Sequence, residues 1–339
     1  MKKVIVTGGA GFIGSHTCVE LHNAGYTPVI VDDLRNSEER ALEGIAAIIG
    51  KAPSTHRVDC TDAAAMDKVF AKEDPVFGVI HFAADKAVGE SVKEPLKYYR
   101  NNVGSLVVLL GAMKKHGVQR IVFSSSCTVY GQPAELPVTE AAPDRNANSP
   151  YGFTKVVCEQ LLRDQSVAVS GLKAVLLRYF NPIGAHPSGS IGELPLGVPN
   201  NLVPFVTQTG AGMRKELTVH GNDYATPDGS CVRDYIHVVD LALAHVRALE
   251  WMEERTAPVC EVFNIGTGNG ITVLDVVNTF MKVTGVTIPY TIGPRRPGDV
   301  ESVYAETSKS GKVLGWKAER GLDDALRDAW TWQCALQKM

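Results

Sequence analysis

The chain has little of what would place it in several large protein classes. In its 339 residues no apolar run approaches the ~20 residues that span a bilayer. Lys and Arg total 34 against 37 Asp and Glu, a formal net charge of −3, so no bulk basic field exists to attract nucleic acid or an anionic membrane. The seven cysteines (Cys18, Cys60, Cys127, Cys158, Cys231, Cys260 and Cys334) are odd in number and scattered, with no C-x-x-C pair. That pattern argues against a disulfide framework and a structural zinc, and no metal site is expected. Met1-Lys2-Lys3 starts like a signal peptide, but Val4-Ile5-Val6 gives way at once to glycines, far short of a signal's apolar core. No repeat, charge run or low-complexity tract occurs. A cytoplasmic protein with reduced thiols is expected, without nucleic-acid or membrane partners.

What remains is ordinary for a globular enzyme: 45% hydrophobic and 21% charged residues. The length suggests about two domains. Short β-branched runs predict strands at Lys3–Thr7, Pro28–Asp32, His56–Asp59, Val76–Phe82, Arg120–Ser124 and Lys173–Phe180. Helical patterns lie between them, at Phe12–Ala24, Pro95–His116 and Tyr151–Ser170 among others. Strands alternating with helices imply right-handed crossovers and an α/β, doubly wound parallel sheet. Apolar runs such as Val29-Ile30-Val31 suit strands covered on both faces. Beyond residue 180 the chain turns rich in Gly, Pro and Asn, and alternation returns only weakly. Helices are expected from near Asn201 and at Val238–Trp251, Thr272–Val283 and Leu322–Gln337, with a strand near Glu261–Ile265. Residues 1–180 are read as a dinucleotide-binding domain and 181–339 as a smaller substrate lobe, some of whose segments return to the first sheet.

The clearest chemical signal is at the N-terminus. The first strand runs directly into Gly8-Gly9-Ala10-Gly11-Phe12-Ile13-Gly14 and a helix. Such glycines permit the tight turn, close approach to a pyrophosphate and helix–strand packing, while the helix N-terminus offers free N–H groups to phosphate. The second strand ends in Asp32, which suits the adenosine ribose hydroxyls and repels a 2′-phosphate; the expected cofactor is therefore NAD. Arg35 nearby is the counter-signal, since an arginine can hold that phosphate. Further strand ends, Asp59-Cys60, Phe82-Ala83-Ala84-Asp85-Lys86 and Ser124-Ser125-Ser126, should open on the same crevice.

Tyr151 and Lys155, at i and i+4, share one helix face. Tyrosine titrates near pH ~10 and is a poor base at neutral pH, but an ammonium and a positive nicotinamide ring beside it favour the phenolate. A serine at the end of the preceding strand is placed to bridge the tyrosine and a substrate hydroxyl.

With Thr7-Gly8-x-x-Gly11-x-x-Gly14, the serine-ended strand and the Tyr151/Lys155 pair, the chain resembles the extended short-chain dehydrogenase/reductase family. The likeness narrows to its UDP-glucose 4-epimerase branch through Gly14-Ser15-His16-Thr17, Lys86-Ala87-Val88-Gly89-Glu90-Ser91-Val92, Ser124 to Gly131, Arg178-Tyr179-Phe180-Asn181-Pro182, Pro199-Asn200-Asn201-Leu202 and Val232-Arg233-Asp234-Tyr235-Ile236-His237-Val238. It runs over the whole chain. The resemblance implies a Rossmann-type fold, retained NAD and reversible epimerisation of UDP-glucose and UDP-galactose through a 4-keto sugar. It also implies a homodimer built on the two long helices. Carried over by residue, Tyr151 is the base and later the acid, Ser126 hydrogen-bonds the reacting oxygen, and Lys155 lowers the tyrosine pKa and binds nicotinamide ribose.

The resemblance further implies cofactor contacts at Gly8, Gly11, Phe12, Ile13, Gly14, Asp32, Asp33, Leu34, Asn36 and Ser37 along the first turn and second strand. Others follow at Asp59, Cys60, Phe82, Ala83, Ala84, Lys86, Asn101, Ser124, Tyr151, Lys155 and Phe180. For the UDP-sugar it implies Lys86, Ser126, Tyr151, Tyr179, Asn181, Asn201 and Leu202 along the diphosphate and sugar, and Arg233 and Arg296 on the diphosphate. Asp299 falls to a ribose contact, and Thr218, Val219 and His220 lie near the uracil. His220 departs from a phenylalanine in the bacterial pattern, though an imidazole still stacks. Val303 stands where some members carry a bulky tyrosine; a valine leaves room for a 2-acetamido group, so turnover of UDP-N-acetyl sugars is a further expectation.

Three rival activities remain. Nucleotide-sugar dehydratases of the family carry an Asp-Glu pair where this chain has Cys127-Thr128, neither of which is a carboxyl acid or base. A UDP-glucuronate decarboxylase needs a positive contact for the sugar carboxylate. A simple dehydrogenase would accumulate reduced cofactor. A non-catalytic NAD-binding protein on the same fold would be expected to lack the tyrosine or lysine.

Overall fold

The first half of the chain alternates strand and helix in a computed structural model that describes residues 1–144, 146–296 and 298–338. In order these are β1 (Lys3–Thr7), α1 (Phe12–Asn23), β2 (Thr27–Val31), α2 (Glu39–Ile49), β3 (Ser54–His56), α3 (Ala63–Glu73), β4 (Val76–His81), α4 (Val88–Lys93), α5 (Pro95–Tyr98), α6 (Gly104–Lys115), β5 (Arg120–Ser124), α7 (Pro150–Ala168) and β6 (Lys173–Tyr179). The second half adds β7 (Asn181–Ile183), α8 (Leu202–Gly210), β8 (Leu217–His220), β9 (Val232–Arg233), β10 (Tyr235–His237), α9 (Val238–Glu253), β11 (Val259–Ile265), β12 (Ile271–Thr272), α10 (Val273–Thr284), β13 (Tyr290–Gly293), β14 (Ser302–Val303) and α11 (Leu322–Gln337).

Seven strands form one sheet in the order β11-β6-β5-β4-β1-β2-β3, every neighbouring pair parallel. This is the doubly wound α/β sheet that the alternation predicts. Side chains of each strand alternate between two apolar layers. Val4, Val6, Ile30, Ile80 and Val122 pack with α1 and α9, while Ile5, Val29, Val31, Val79 and Ile121 pack with α3, α6 and α7. Both faces are thus covered, which accounts for strands without polar alternation. Strand order reverses between β1 and β4, and the crevice beyond their carboxyl ends is where such sheets bind ligands.

The later segments divide. Strand β11 joins the large sheet beside β6, and α9 packs in the same apolar layer as α1. Helices α8, α10 and α11 gather with β8 and β10 around a separate apolar cluster that includes Val206, Val276, Phe280 and Leu326. The small strands β7 to β10 and β12 to β14 carry too few residues to show a period. Among the described residues no helix is long and apolar enough to cross a membrane, and no group of three or more His, Cys, Asp or Glu is arranged to hold a metal ion. The seven thiols are all free.

Two local departures bear on the site. Pro95–His116 is not one helix: α5 and α6 are joined by a single wide π turn, Tyr99–Val103. The wider turn lets the consecutive residues Asn101 and Asn102 both face inward, and such turns recur at functional sites. Strand β3 ends at His56 rather than Asp59, because the Asp59 carboxylate accepts from the Thr61 N–H and hydroxyl, both at 2.8 Å, and turns the chain out of the sheet.

Candidate active site

A cavity of about 820 Å³ lies beyond the carboxyl ends of the central strands, walled on its far side by the 191–201 segment, Arg233, Arg296, Gly298, Asp299, Val300 and Val303. Its floor is the glycine turn. Gly8 has φ +68°, and a Cβ on it would lie 2.8 Å from the Ala83 nitrogen. A Cβ on Gly14 would lie 2.2 Å from the Gly8 carbonyl oxygen. Only glycine allows β1, β4 and α1 to meet this closely, leaving the start of α1 open to an anion.

Asp32 organises the next wall. One carboxylate oxygen accepts from the Ala10 N–H at 3.0 Å; the other accepts from the Leu34 N–H at 2.9 Å and the Ser37 hydroxyl at 2.8 Å. Three of about four acceptor positions are filled, leaving one for a ribose hydroxyl. Arg35 does not stand free to hold a phosphate. Its guanidinium faces Asp33 at 3.3 Å and Asp59 at 3.7 Å and donates to Asn101. Beside it, Asp85 is 3% exposed, accepts from the Asn36 amide at 3.1 Å, and keeps its second carboxylate oxygen without a partner. Thr128 on the opposite wall likewise has an unpartnered hydroxyl. Buried polar atoms of this kind are costly unless a ligand satisfies them. With the glycine cradle, they make this crevice a fit for a dinucleotide's phosphates and hydroxyls.

The reactive end is built by α7 and the end of β5. Ser149 caps α7, accepting from the Gly152 N–H at 3.2 Å, with Pro150 in the first turn. Each successive serine from the end of β5 onward is tied to a different group. Lys155 donates to the Ser124 carbonyl at 2.8 Å, and the Ser124 hydroxyl donates to Tyr179 at 3.0 Å. The Ser125 hydroxyl donates to Glu159 at 2.5 Å. Ser126 stands beside Tyr151 and accepts from the Thr128 N–H at 3.2 Å.

Burial dominates the titration here. It pushes the Tyr151 phenol well above its ordinary value; Tyr179 adds to the rise, and the Ser126 hydroxyl opposes it. Burial pulls the Lys155 ammonium down to about 8, against the favourable pull of Cys158 and Glu159. The expected direct effect of Lys155 on Tyr151 is not the leading influence among the protein's own groups. The ammonium lies 5.9 Å from the Tyr151 ring centre and is aimed at the Ser124 carbonyl.

At the far wall, Arg296 grips Asp299 through two hydrogen bonds of 3.1 and 2.8 Å, and Arg233 approaches the same carboxylate at 3.6 Å. Tyr179, Asn181, Asn201 and Val303 face the same cavity. Most sequence-expected residues therefore converge on it: Gly8, Gly11, Phe12, Ile13, Gly14, Asp32, Asp33, Asn36, Ser37, Cys60, Phe82, Ala83, Ala84, Lys86, Tyr151 and Lys155 also line it.

Others stand behind the wall. Ser124, Ser126 and Phe180 are buried beneath it, and Leu34, Asp59 and Asn101 brace the Arg35 corner. Leu202 packs into the second lobe's core. Thr218, Val219 and His220 lie on β8, outside the cavity wall. Val219 points into the second lobe's core, and His220 is exposed with Nδ1 3.2 Å from the Pro294 carbonyl.

Asp85 lies on the crevice as expected of its strand end, though no contact was assigned to it, whereas Glu193 and the buried Glu159–Arg178 pair were missed. Glu159 extends the four-residue spacing of Tyr151 and Lys155, and Arg178 is a charge directly after the apolar run Ala174-Val175-Leu176-Leu177 of β6. Both were visible signals.

A family model described as GDP-mannose 4,6 dehydratase matches residues 5–329. The UDP-glucose 4-epimerase of Bacillus subtilis (strain 168) is 52% identical over 330 residues, 97% of this chain and 96% of the relative. The crystal structure of a UDP-glucose-4-epimerase from Stenotrophomonas maltophila, with bound NAD and formylated UDP-arabinopyranose, superposes with a TM-score of 0.96 at 47% identity, covering 100% of this chain and 99% of that one. That of the UDP-glucose 4-epimerase from Bifidobacterium longum, in complex with NAD+ and UDP, gives 0.94 at 50% identity and 98% of both chains. The fold and the site thus define a nucleotide-sugar enzyme on a dinucleotide-binding sheet. The chain belongs to the family that the GDP-mannose 4,6 dehydratase model describes and, within it, to the UDP-glucose 4-epimerases.

Proposed function

We propose that the protein interconverts UDP-glucose and UDP-galactose by inverting C4, with NAD retained. The observation that carries this reading is Tyr151 in the cavity wall, backed by the buried Ser126 hydroxyl beside it, with Lys155 anchored on the adjoining Ser124 carbonyl. Bound NAD supplies the acceptor and donor of the C4 hydride and a positive ring that favours the phenolate. Tyr151 takes the proton of the 4-hydroxyl as hydride leaves C4, giving a 4-keto sugar, and returns it after the sugar has turned. Ser126 donates to the reacting oxygen. Lys155, held by the Ser124 carbonyl, would bind the nicotinamide ribose.

Asp32, Asn36 and Asp85 hold ribose hydroxyls in this reading, and the engagement of Arg35 by Asp33 and Asp59 favours NAD over NADP. Residues 1–180, joined by the returning strand β11 and helix α9, take the cofactor. Residues 181–339 take the UDP-sugar, with Lys86, Asn181, Asn201, Arg233 and Arg296 around the diphosphate and sugar and Asp299 at a ribose. The guanidinium groups suit a diphosphate because they offer paired donors. Uracil contacts at Thr218, Val219 and His220 require that β8 border the bound nucleotide.

Dehydration across C5 and C6 lacks its catalysts: burial pushes the Cys127 thiol up to about 12, and Thr128 is a hydroxyl. A second substrate class is favoured by Val303, which lines the cavity without the bulk of a tyrosine; it leaves room for UDP-N-acetyl sugars. Good turnover of UDP-glucose with none of UDP-N-acetylglucosamine would sink that extension. A cytoplasmic homodimer completes the proposal. Val92, Leu96, Val107 and Phe153, on α4 to α7, are 62%, 75%, 53% and 41% exposed and would be covered by a partner.

The reading is tested by adding UDP-galactose to purified protein without NAD. Conversion to UDP-glucose with no build-up of reduced-nicotinamide absorbance is expected. A rise of that absorbance to one equivalent of the bound cofactor, with the sugar left oxidised and no UDP-glucose formed, would instead make the protein a dehydrogenase.

A further inference from the structure

One carboxylate in the cleft connects both of its walls. Glu193 follows Gly192, whose missing side chain admits an indole: a Cβ there would lie 2.4 Å from Trp332 Cδ1. The Trp332 indole N–H donates to the Glu193 carbonyl at 3.0 Å, so α11 clamps this backbone. The Glu193 side chain is 9% exposed; it pairs with Lys86 Nζ at 3.3 Å and accepts from the Asn201 amide at 2.6 Å. Lys86 follows β4 on one wall, while Asn201 precedes α8 on the other. The two groups expected to meet the nucleotide-sugar are therefore both engaged by a resident anion.

We propose that Glu193 is an internal competitor for the diphosphate, occupying Lys86 and Asn201 before the substrate arrives and reclaiming them as product leaves. The inference rests on the UDP-sugar reading above. Lys86 is 65% exposed, so its pair with Glu193 opens easily. The carboxylate itself is fixed by its clamped backbone and shielded from water, so it stays beside the entering diphosphate, and their repulsion is poorly screened. Affinity for the bound ground state lowers KM without raising kcat, and UDP-sugars share the diphosphate in substrate and product. A resident competitor that weakens both equally speeds release. Glu193 is a positioning residue in this account, since it acts through Lys86 and Asn201.

The test uses the NAD-loaded protein and UDP as the probe. Glu193→Gln keeps the side-chain shape and removes the charge. UDP should bind roughly three- to tenfold tighter, as expected for removing one poorly screened like charge. KM and kcat for UDP-galactose should fall together, while bound NAD is unchanged. Adding Lys86→Met to Glu193→Gln should cancel the tighter binding. A merely structural Glu193 would instead weaken UDP binding and lower thermal stability. UDP affinity equal to or weaker than that of the natural protein overturns the proposal. Failure of the natural protein to bind UDP at all overturns it together with the reading beneath it.

Discussion

The guanidinium of Arg178 and the carboxylate of Glu159 meet side by side, at 2.9 Å (Nε to Oε1) and 2.6 Å (Nη2 to Oε2), with both side chains shut off from water. Arg178 also donates to the Tyr130 hydroxyl at 3.1 Å and to Asp144, and Glu159 accepts from Ser125. Burial works against the Arg178 charge, and Glu159 outweighs it, holding the pKa above its ordinary value. Glu159 lies one turn beyond Lys155 on α7, so the pair fixes the helix of Tyr151 and Lys155 against β6 and the serine-ended strand.

Breaking that pair from one side should be costly, because the surviving charge stays buried. Arg178→Met or Glu159→Met should each destabilise by about 3–5 kcal/mol, and the double substitution by less than the sum. Urea unfolding measures this. A loss under about 1 kcal/mol for either single variant would show that water reaches the site and that the pair does not hold the helix.

Tyr151→Phe removes only the proton-transfer oxygen. Turnover should fall about 10²- to 10⁴-fold, with NAD still bound and the unfolding midpoint little changed. Full activity in this variant would remove Tyr151 from the chemistry.

The buried Lys155 gives a pH signature. Its value in the folded protein, about 8, lies below the ordinary 10.5, so between these limits the unfolded chain binds more protons than the folded one. Stability due to Lys155 therefore rises as pH climbs through about 8 and is lowest below it. Relative to Lys155→Met, the NAD-free natural protein should gain about 2 kcal/mol between about pH 7 and pH 9.5. Unfolding curves at the two pH values, compared as a difference between variants, decide it; a difference that stays flat or falls contradicts the burial of a charged Lys155.

Gly14→Ala should prevent dinucleotide binding. The added methyl would sit 2.2 Å from the Gly8 carbonyl and push the glycine turn out of its cradle. Chromatography of the denatured protein's supernatant should find no NAD, and a full complement would mean that the turn moves more freely than its packing implies.

Much of this was legible in the sequence because it depends on local chemistry. The glycine turn, the strand ending in Asp32 and the Tyr151/Lys155 spacing are short-range patterns with a direct physical reading. Lys3–Thr7, Arg120–Ser124 and Leu322–Gln337 have the expected bounds. What escaped depends on distant parts meeting. The wide turn at Tyr99–Val103 serves Asn101 and Asn102, whose partners Arg35, Asp85 and Thr154 lie far away in the chain. Glu193 matters only because Trp332, Lys86 and Asn201 converge on it. The engagement of Arg35 by Asp33 and Asp59, which answers the NADP question, likewise needs β2 and β3 side by side.

The central claim is that one hydride leaves C4 and returns to the same carbon. UDP-galactose carrying deuterium at C4, incubated with purified protein and no added cofactor in ordinary water, measures this directly. The account predicts UDP-glucose that keeps its deuterium at C4, as read by mass spectrometry and proton resonance. Product with hydrogen at C4 and deuterium lost to solvent would contradict it.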